Sequence, residues 1–120
     1  MKKINYLVFL SFIAPALLLG KPHEQPQGVD LLLHNAVLSE NLNAIEILVE
    51  QGANVNALYP NDWTPLMISA MSCDEPDTIN LLLSLGADKS IRNIDGETAH
   101  DIASRNGECG GYLHLLDPNL

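Results

Sequence analysis

Apolar residues cluster in four short segments between residues 30 and 85, and in three of these segments they recur at positions three or four apart. This spacing places them on one face of a helix, whereas a half-buried strand would alternate at every second position. The segments form two pairs, each joined by a few polar residues. Their apolar positions are Leu33, Ala36 and Val37; Leu42, Ile45, Leu48 and Val49; Leu66, Ile68 and Ala70; and Ile79, Leu81, Leu82, Leu83 and Leu85. The pattern predicts pairs of short helices.

The helix pairs belong to a sequence repeat with a period of 34 residues. Gly-Ala-Asn-Val-Asn at 52–56 returns as Gly-Ala-Asp-Lys-Ser at 86–90, and Asn-Asp-Trp-Thr-Pro-Leu at 61–66 returns as Asp-Gly-Glu-Thr-Ala-His at 95–100. Such periods are typical of solenoids, in which one unit cannot bury its own apolar face and stacks on its neighbour. We therefore expect one repeat domain.

Three positions in the middle unit predict where the chain turns. Thr64 suits a helix N-cap, because its hydroxyl can accept a free backbone N–H, and Pro65 suits the first helical position, where no donor is missed. Gly86 is expected to end the second helix with a positive φ. Asp62 stands where the next unit has Gly96, and Asp tolerates a positive φ better than most residues.

These units resemble the ankyrin repeat, whose signature joins a β-turn, a Thr-Pro-Leu-His helix start and a Leu-rich second helix ending in Gly-Ala. The resemblance covers residues 30–120 and is strongest in the middle unit, with Thr-Pro-Leu at 64–66, Leu-Leu-Leu at 81–83 and Gly-Ala-Asp at 86–88. It implies an all-α ankyrin-repeat solenoid of about three helix-turn-helix repeats with β-turn fingers, over residues 30–60, 61–94 and 95–120. The outer units depart from the signature, as capping repeats that meet water do.

The resemblance also implies a concave protein-binding surface formed by the fingers and the inner helices. Trp63, the only Trp, is expected to be exposed beside Tyr59 and Pro60 and to anchor a partner, since interface hot spots favour such an aromatic. The alternative is that Trp63 packs on Tyr59 or on residues 21–28 and stabilises a finger. His34 occupies the family's His position, where an imidazole bonds backbone in the connecting turns. The predicted partner-binding residues are Tyr59, Asn61, Asp62, Trp63, Met71, Asp95, Glu97 and Arg105.

The amino terminus has the layout of a secretory signal peptide. Lys2 and Lys3 precede an uncharged apolar run from Ile4 to Leu19, which breaks at Gly20. As a helix, 16 residues would span about 24 Å, short of the roughly 30 Å hydrocarbon core, so a stable membrane span is the weaker interpretation. We expect a signal peptide over residues 1–20, cleaved between 16 and 20, and a flexible lead-in over residues 21–29. The mature chain would be exported, to the periplasm or outside the cell.

All 15 acidic residues follow Gly20, where the only bases are Lys21, Lys89, Arg92 and Arg105, so the net charge there is −11. Nucleic acids and anionic lipids need cationic neutralisation, and we expect neither as a partner. The charge favours a basic partner surface, or it only keeps a small apolar solenoid soluble.

The sequence lacks the motifs that are typical of metal-binding sites and of catalytic sites. His23, His100 and His114 share no metal-ligand spacing, and Asp74, Glu75 and Asp77 fit the start of a helix better than a calcium loop. Phosphate-binding loops and nucleophile elbows do not occur. We therefore expect no enzyme activity, no cofactor and no metal.

Cys73 and Cys109, the only cysteines, fall in the loops between the inner and outer helices of neighbouring units. An oxidising compartment would allow a disulfide, which could stabilise the fold by about 4 kcal/mol by closing a loop of about 37 residues. The alternative is two small apolar residues that never pair.

The sequence therefore predicts an exported, monomeric, non-catalytic module that binds another protein. It could be a periplasmic immunity or inhibitor protein, or an accessory scaffold. A secreted effector that binds a host protein is the alternative, and a metal-binding or enzymatic accessory protein is a third class.

Overall fold

A computed structural model describes residues 28–72 and 76–120. The expected signal peptide and its cleavage window lie outside the described residues, as do residues 21–27. The same holds for Cys73, Asp74 and Glu75. The first described helix begins at Gly28, two residues before the predicted start of the repeat domain at residue 30.

The described chain forms six α-helices and two short 3-10 helices. In order they are α1 (Gly28–Leu38), α2 (Leu42–Glu50), a 3-10 helix (Pro60–Asp62), α3 (Pro65–Ser72), α4 (Pro76–Ser84), α5 (Ala99–Asn106), a second 3-10 helix (Glu108–Gly111) and α6 (Leu113–Leu116). None of these helices is long and apolar enough to cross a membrane. An isolated antiparallel bridge joins Tyr59 to Trp63.

The helices form three antiparallel pairs that stack side by side. Within the pairs, α1 packs on α2, α3 on α4 and α5 on α6. Between the pairs, α1 contacts α3 and α3 contacts α5, which forms an inner layer, while α2 contacts α4 in an outer layer. The predicted all-α solenoid of three helix-turn-helix repeats is confirmed.

The core lies between the two layers. Its largest fully buried apolar side chains come from all three repeats, and the inner helices also bury the small side chains Ala70 and Ala103 completely. These alanines let the helices approach closely, and the larger residues then fill the space between layers. Truncating one such Leu or Ile to Ala typically costs 2–5 kcal/mol. The largest are Leu33, Ile45, Leu66, Met67, Ile79, Leu82 and Leu116.

Local signals place the helix ends as predicted. The Met67 N–H donates to the Thr64 hydroxyl over 3.3 Å, and α3 starts at Pro65. Gly86 follows α4 with a φ of 101°. In the third repeat, Thr98 and Asp101 form a capping box, each side chain accepting the other's backbone N–H. Asp77 lies in the first turn of α4, where an acid complements the helix dipole.

Side-chain bonds tie consecutive repeats together away from the helices. The Asn56 amide donates to the Gly86 carbonyl oxygen (3.3 Å) and accepts from the Asp88 N–H (2.8 Å). Within the first repeat, the Asp30 carboxylate, in the first turn of α1, accepts from the Asn54 N–H over 2.7 Å. The loops after the outer helices are therefore held in register by polar contacts.

Candidate protein-binding surface

The first finger is a tight turn that ends at Trp63. The Tyr59 N–H donates to the Trp63 carbonyl oxygen over 2.8 Å, and the residues between them include Asn61 (φ 65°) and Asp62 (φ 59°). The positive φ expected at Asp62 is confirmed. A second one at Asn61 was not predicted, although Asn is among the residues that adopt this conformation most readily.

Tyr59 is a core residue, which corrects the expectation that it would be exposed beside Trp63. Its side chain is 3% exposed, and its hydroxyl donates to the main-chain carbonyl oxygen of Asp30 over 2.7 Å. Burial, with a smaller contribution from the Asp30 carboxylate, raises the pKa of Tyr59 above its ordinary value. A neutral, buried phenol serves to attach the finger to α1.

His34 contacts an aromatic ring, which corrects the expectation that its imidazole bonds backbone in the turns. Its ring meets that of Tyr59 edge to face, with 4.5 Å between centroids and 76° between planes. Its Nδ1 is buried without a hydrogen-bond partner in the described chain. The family's His position is thus used here to pack the finger against α1.

The second finger is closed by Asn93. The Asn93 carboxamide oxygen accepts from the N–H groups of Asp95 and Glu97, each over 3.0 Å. The two fingers also touch, since the Ile94 N–H donates to the Asn61 carbonyl oxygen over 3.1 Å. Successive fingers therefore form one continuous edge.

Two shallow depressions follow this edge along the inner helices, and Trp63 and Met71 line both of them. The first, of about 400 Å³, lies between the first two repeats. The second, of about 320 Å³, lies between the second and third repeats. We call the pair the inner-helix groove. The other lining residues are His34, Leu38, Tyr59, Pro60, Asn61 and Ile68 in the first depression and Ile102, Arg105 and Asn106 in the second.

Polar contacts position one wall of the second depression. The Arg105 guanidinium lies 3.0 Å from a Glu97 carboxylate oxygen, with Arg105 largely exposed and Glu97 mostly buried. The Asn106 side chain donates to the Met71 carbonyl oxygen. The end of α5 is thereby joined both to its own finger and to α3.

The groove brings together most of the residues predicted for partner binding. Trp63, partly buried against the core, and Met71, half exposed, lie at its centre. Asn61 and Tyr59 line one depression and Arg105 lines the other, with Glu97 bonded to Arg105. Asp62 and Asp95 line neither depression and lie in the finger turns.

Sequence reasoning missed the part of the groove that the first repeat contributes. Leu38 is exposed and lines the first depression. It holds the same place at the end of α1 that Met71 holds in α3 and Arg105 in α5. The 34-residue period leads from Met71 back to the buried Val37, whereas aligning Leu33 with Leu66, an offset of 33 residues, leads to Leu38. Ile68 and Ile102 are buried core residues, and their place at the floor of the groove was missed because it depends on the packing of neighbouring helices.

Acidic side chains predominate beside the groove. Asp62, Asp95 and Glu97 belong to the fingers, and Arg105 is the one cation among the described residues that line the two depressions. Farther along α5, the Thr98 N–H, helped by the Thr98 hydroxyl and by Arg92, holds the pKa of Asp101 below its usual value. The surface is suited to a partner that combines apolar and basic groups.

The described residues contain no group of three or more His, Cys, Asp or Glu side chains that could hold a metal ion. Cys109 lies in the second 3-10 helix, fully buried, with its sulfur 3.6 Å from the Ala70 carbonyl oxygen. Cys73 follows three residues after Ala70, outside the described residues, so the pairing of the cysteines stays a prediction.

The sequence profile of the ankyrin repeats, three copies long, matches residues 13–93 and again residues 33–119. The chain belongs to the ankyrin-repeat family. As an ankyrin-repeat protein, it carries a protein–protein interaction module.

Similar proteins include a regulatory subunit. Protein phosphatase 1 regulatory subunit 27 from mouse and from human is 44% identical over 77 residues, which is 64% of this chain and 49% of the relative. A probable E3 ubiquitin-protein ligase XBOS34 from rice is 37% identical over 83 residues, 68% of this chain and 16% of the relative. The ankyrin-repeat chain thus spans about half the length of the regulatory subunits that it matches.

Proposed function

We propose that this ankyrin-repeat protein is a non-catalytic regulator that binds an enzyme through the inner-helix groove. The observation that carries the proposal is the position of Trp63 and Met71, which both line each of two depressions built from all three repeats. A partly buried aromatic and a half-exposed, flexible thioether, flanked by apolar hollows, are typical of a protein interface core.

The regulatory role is supported by the resemblance to a phosphatase regulatory subunit. Immunity or inhibitor proteins and accessory scaffolds fall within the same role, because each acts by occupying the surface of another protein. A basic or mixed partner surface is favoured, since the acids Asp62, Asp95 and Glu97 lie on the fingers beside the groove and Glu97 pairs with the lining residue Arg105.

Export is the second part of the proposal. The Lys2-Lys3 start and the uncharged run from Ile4 to Leu19 support a secretory leader. The partner would then be an envelope enzyme of the same cell. For a secreted effector, which is the alternative, the partner would be a host protein.

The test is affinity capture of the tagged chain from the envelope fraction of its source cell, followed by calorimetry with the captured protein. Met71→Ala and Trp63→Ala should each weaken binding by more than about 1 kcal/mol, about five-fold in Kd. Ile47→Ala is the matched control, because Ile47 (52% exposed) and Met71 (50%) are equally accessible but Ile47 lies outside the groove. Equal losses for Ile47 and Met71, or none at Met71 and Trp63, would contradict the assignment of the groove.

A further inference from the structure

The first repeat exposes apolar side chains on the side of α1 and α2 that has no described neighbour. Leu32 is 55% exposed there, beside Ile47, and a shallow hollow of about 380 Å³ lies between the two helices. We call this surface the N-terminal end face. Its lining residues are Leu32, Asn35, Ala36, Ser39, Ala44, Ile47 and Leu48.

The equivalent positions of the second repeat are buried. Ile68, which corresponds to Asn35, is 5% exposed, and Leu82, which corresponds to Leu48, is 0% exposed. Pro65, the counterpart of Leu32, is also fully buried. In the second repeat these residues are covered because α1 and α2 stack on α3 and α4. The end face therefore has the composition and shape of a stacking surface.

The chemistry of the end face indicates what covers it. None of its lining residues is charged, in a chain whose net charge is −9. A basic partner would gain no binding free energy there, because its charged groups would lose solvation without meeting an opposite charge. The occupant that fits is apolar and uncharged.

We propose that residues 13–19 of the uncleaved chain cover the N-terminal end face. This stretch, Ile-Ala-Pro-Ala-Leu-Leu-Leu, is apolar and uncharged throughout. It falls within the ankyrin-repeat match, which begins at residue 13, well before α1. The family resemblance thus extends into the apolar run, on the side where a preceding repeat would stack.

The connection is long enough for this contact. Eight residues, 20–27, separate the stretch from the first residue of α1. Extended, they reach at most about 28 Å, whereas α1, with 11 residues, is about 16 Å long. Because the stretch is tethered, its effective concentration at the end face is in the millimolar range, so a weak apolar contact suffices. Cleavage between residues 16 and 20 would then uncover the end face.

Photo-crosslinking in the full chain of 120 residues tests this contact. Benzoylphenylalanine in place of Ile47 should, on irradiation, join to residues 13–19 of the same molecule, as located by fragment mass spectrometry. An equal mixture of ¹⁴N and ¹⁵N chains separates the alternatives, because a link within one molecule always carries a single isotope, whereas about half of the links between copies carry both.

The control places benzoylphenylalanine at Ile94, which is exposed on the second finger. It should give no link to residues 13–19. Leu18→Asp should abolish the Ile47 link while the helical circular dichroism is kept, since it places a charge in the apolar contact. Mixed-isotope links, which would indicate a second copy on the end face, would overturn the proposal. The absence of any link from position 47 to residues 13–19 would do the same.

Discussion

The hydroxyl of Tyr59 donates to the main-chain carbonyl oxygen of Asp30 over 2.7 Å, joining residues 29 positions apart. This bond attaches the first finger to the first turn of α1. Because Tyr59 also packs edge to face on His34, the finger that carries Trp63 rests on the core instead of projecting freely into solvent.

Tyr59→Phe should therefore lower the free energy of unfolding while leaving the groove intact. Losing one buried hydrogen bond typically costs about 1 kcal/mol, and up to about 2 when the acceptor stays buried. Urea unfolding followed by circular dichroism would measure it, and partner affinity should stay within about two-fold. An unchanged free energy of unfolding would mean that a water molecule donates to the Asp30 carbonyl oxygen as well as the Tyr59 hydroxyl does.

The contrast between Thr64 and Tyr59 explains how much the sequence could predict. The helix start at Thr64 and Pro65 and the turn at Gly86 were predictable, because each depends on the backbone preferences of a few neighbouring residues. The burial of Tyr59 and the ring contact of His34 depend on how the first finger folds back on α1. Local patterns do not contain that information, so they predict that an aromatic beside a turn is exposed.

The same distinction holds within the groove. The repeat offset was enough to predict Met71 and Arg105, since equivalent positions of a solenoid face the same way. The apolar hollows on either side of Trp63 arise from the distance between packed inner helices, which no single repeat specifies.

Asn61 gives a backbone test of the finger. Its φ of 65° is left-handed, which Asn tolerates and Ala does not. Asn61→Ala should cost about 1 kcal/mol of unfolding free energy, whereas Asn61→Gly should be nearly neutral, because glycine has no Cβ to clash. Thermal or urea unfolding of the pair separates backbone strain from loss of the side chain. Equal losses of unfolding free energy in the two variants would mean that the Asn61 side-chain amide, and not backbone strain, is responsible.

Asp101 gives a pH test of the third repeat. Its pKa is lowered in the folded state, chiefly by the Thr98 N–H, so its stabilisation is complete above the unfolded value of about 3.9 and is lost as pH falls through the folded pKa. Asp101→Asn should cost about 0.5 kcal/mol at pH 7, as expected for an exposed charge at a helix N-terminus. Urea unfolding at pH 7, 5 and 3 should show that difference shrinking below about pH 4. A difference that grows on acidification would contradict the capping role.

The buried position of Cys109 near Ala70 supports a disulfide with Cys73. In protein oxidised after purification, alkylation should modify neither cysteine until a reductant is added, as seen by intact mass. Reduction should then lower the free energy of unfolding by up to about 4 kcal/mol, and the reductant should leave the stability of Cys109→Ser unchanged. Two modified thiols without reductant would contradict the pairing.

Asn56 has a consequence for the geometry of recognition. Its side-chain amide donates to the Gly86 carbonyl oxygen and accepts from the Asp88 N–H. The amide thus uses both a donor and an acceptor, as a peptide group does, to join two consecutive repeats. Because the amide group is planar and rigid, these two hydrogen bonds resist both rotation and separation of the loops that follow α2 and α4. The spacing of the first and second repeats, which form the hollow between them, is then fixed before any partner arrives. A partner that binds in the groove would therefore meet repeats whose spacing is already fixed, and little entropy would be spent in adjusting that spacing.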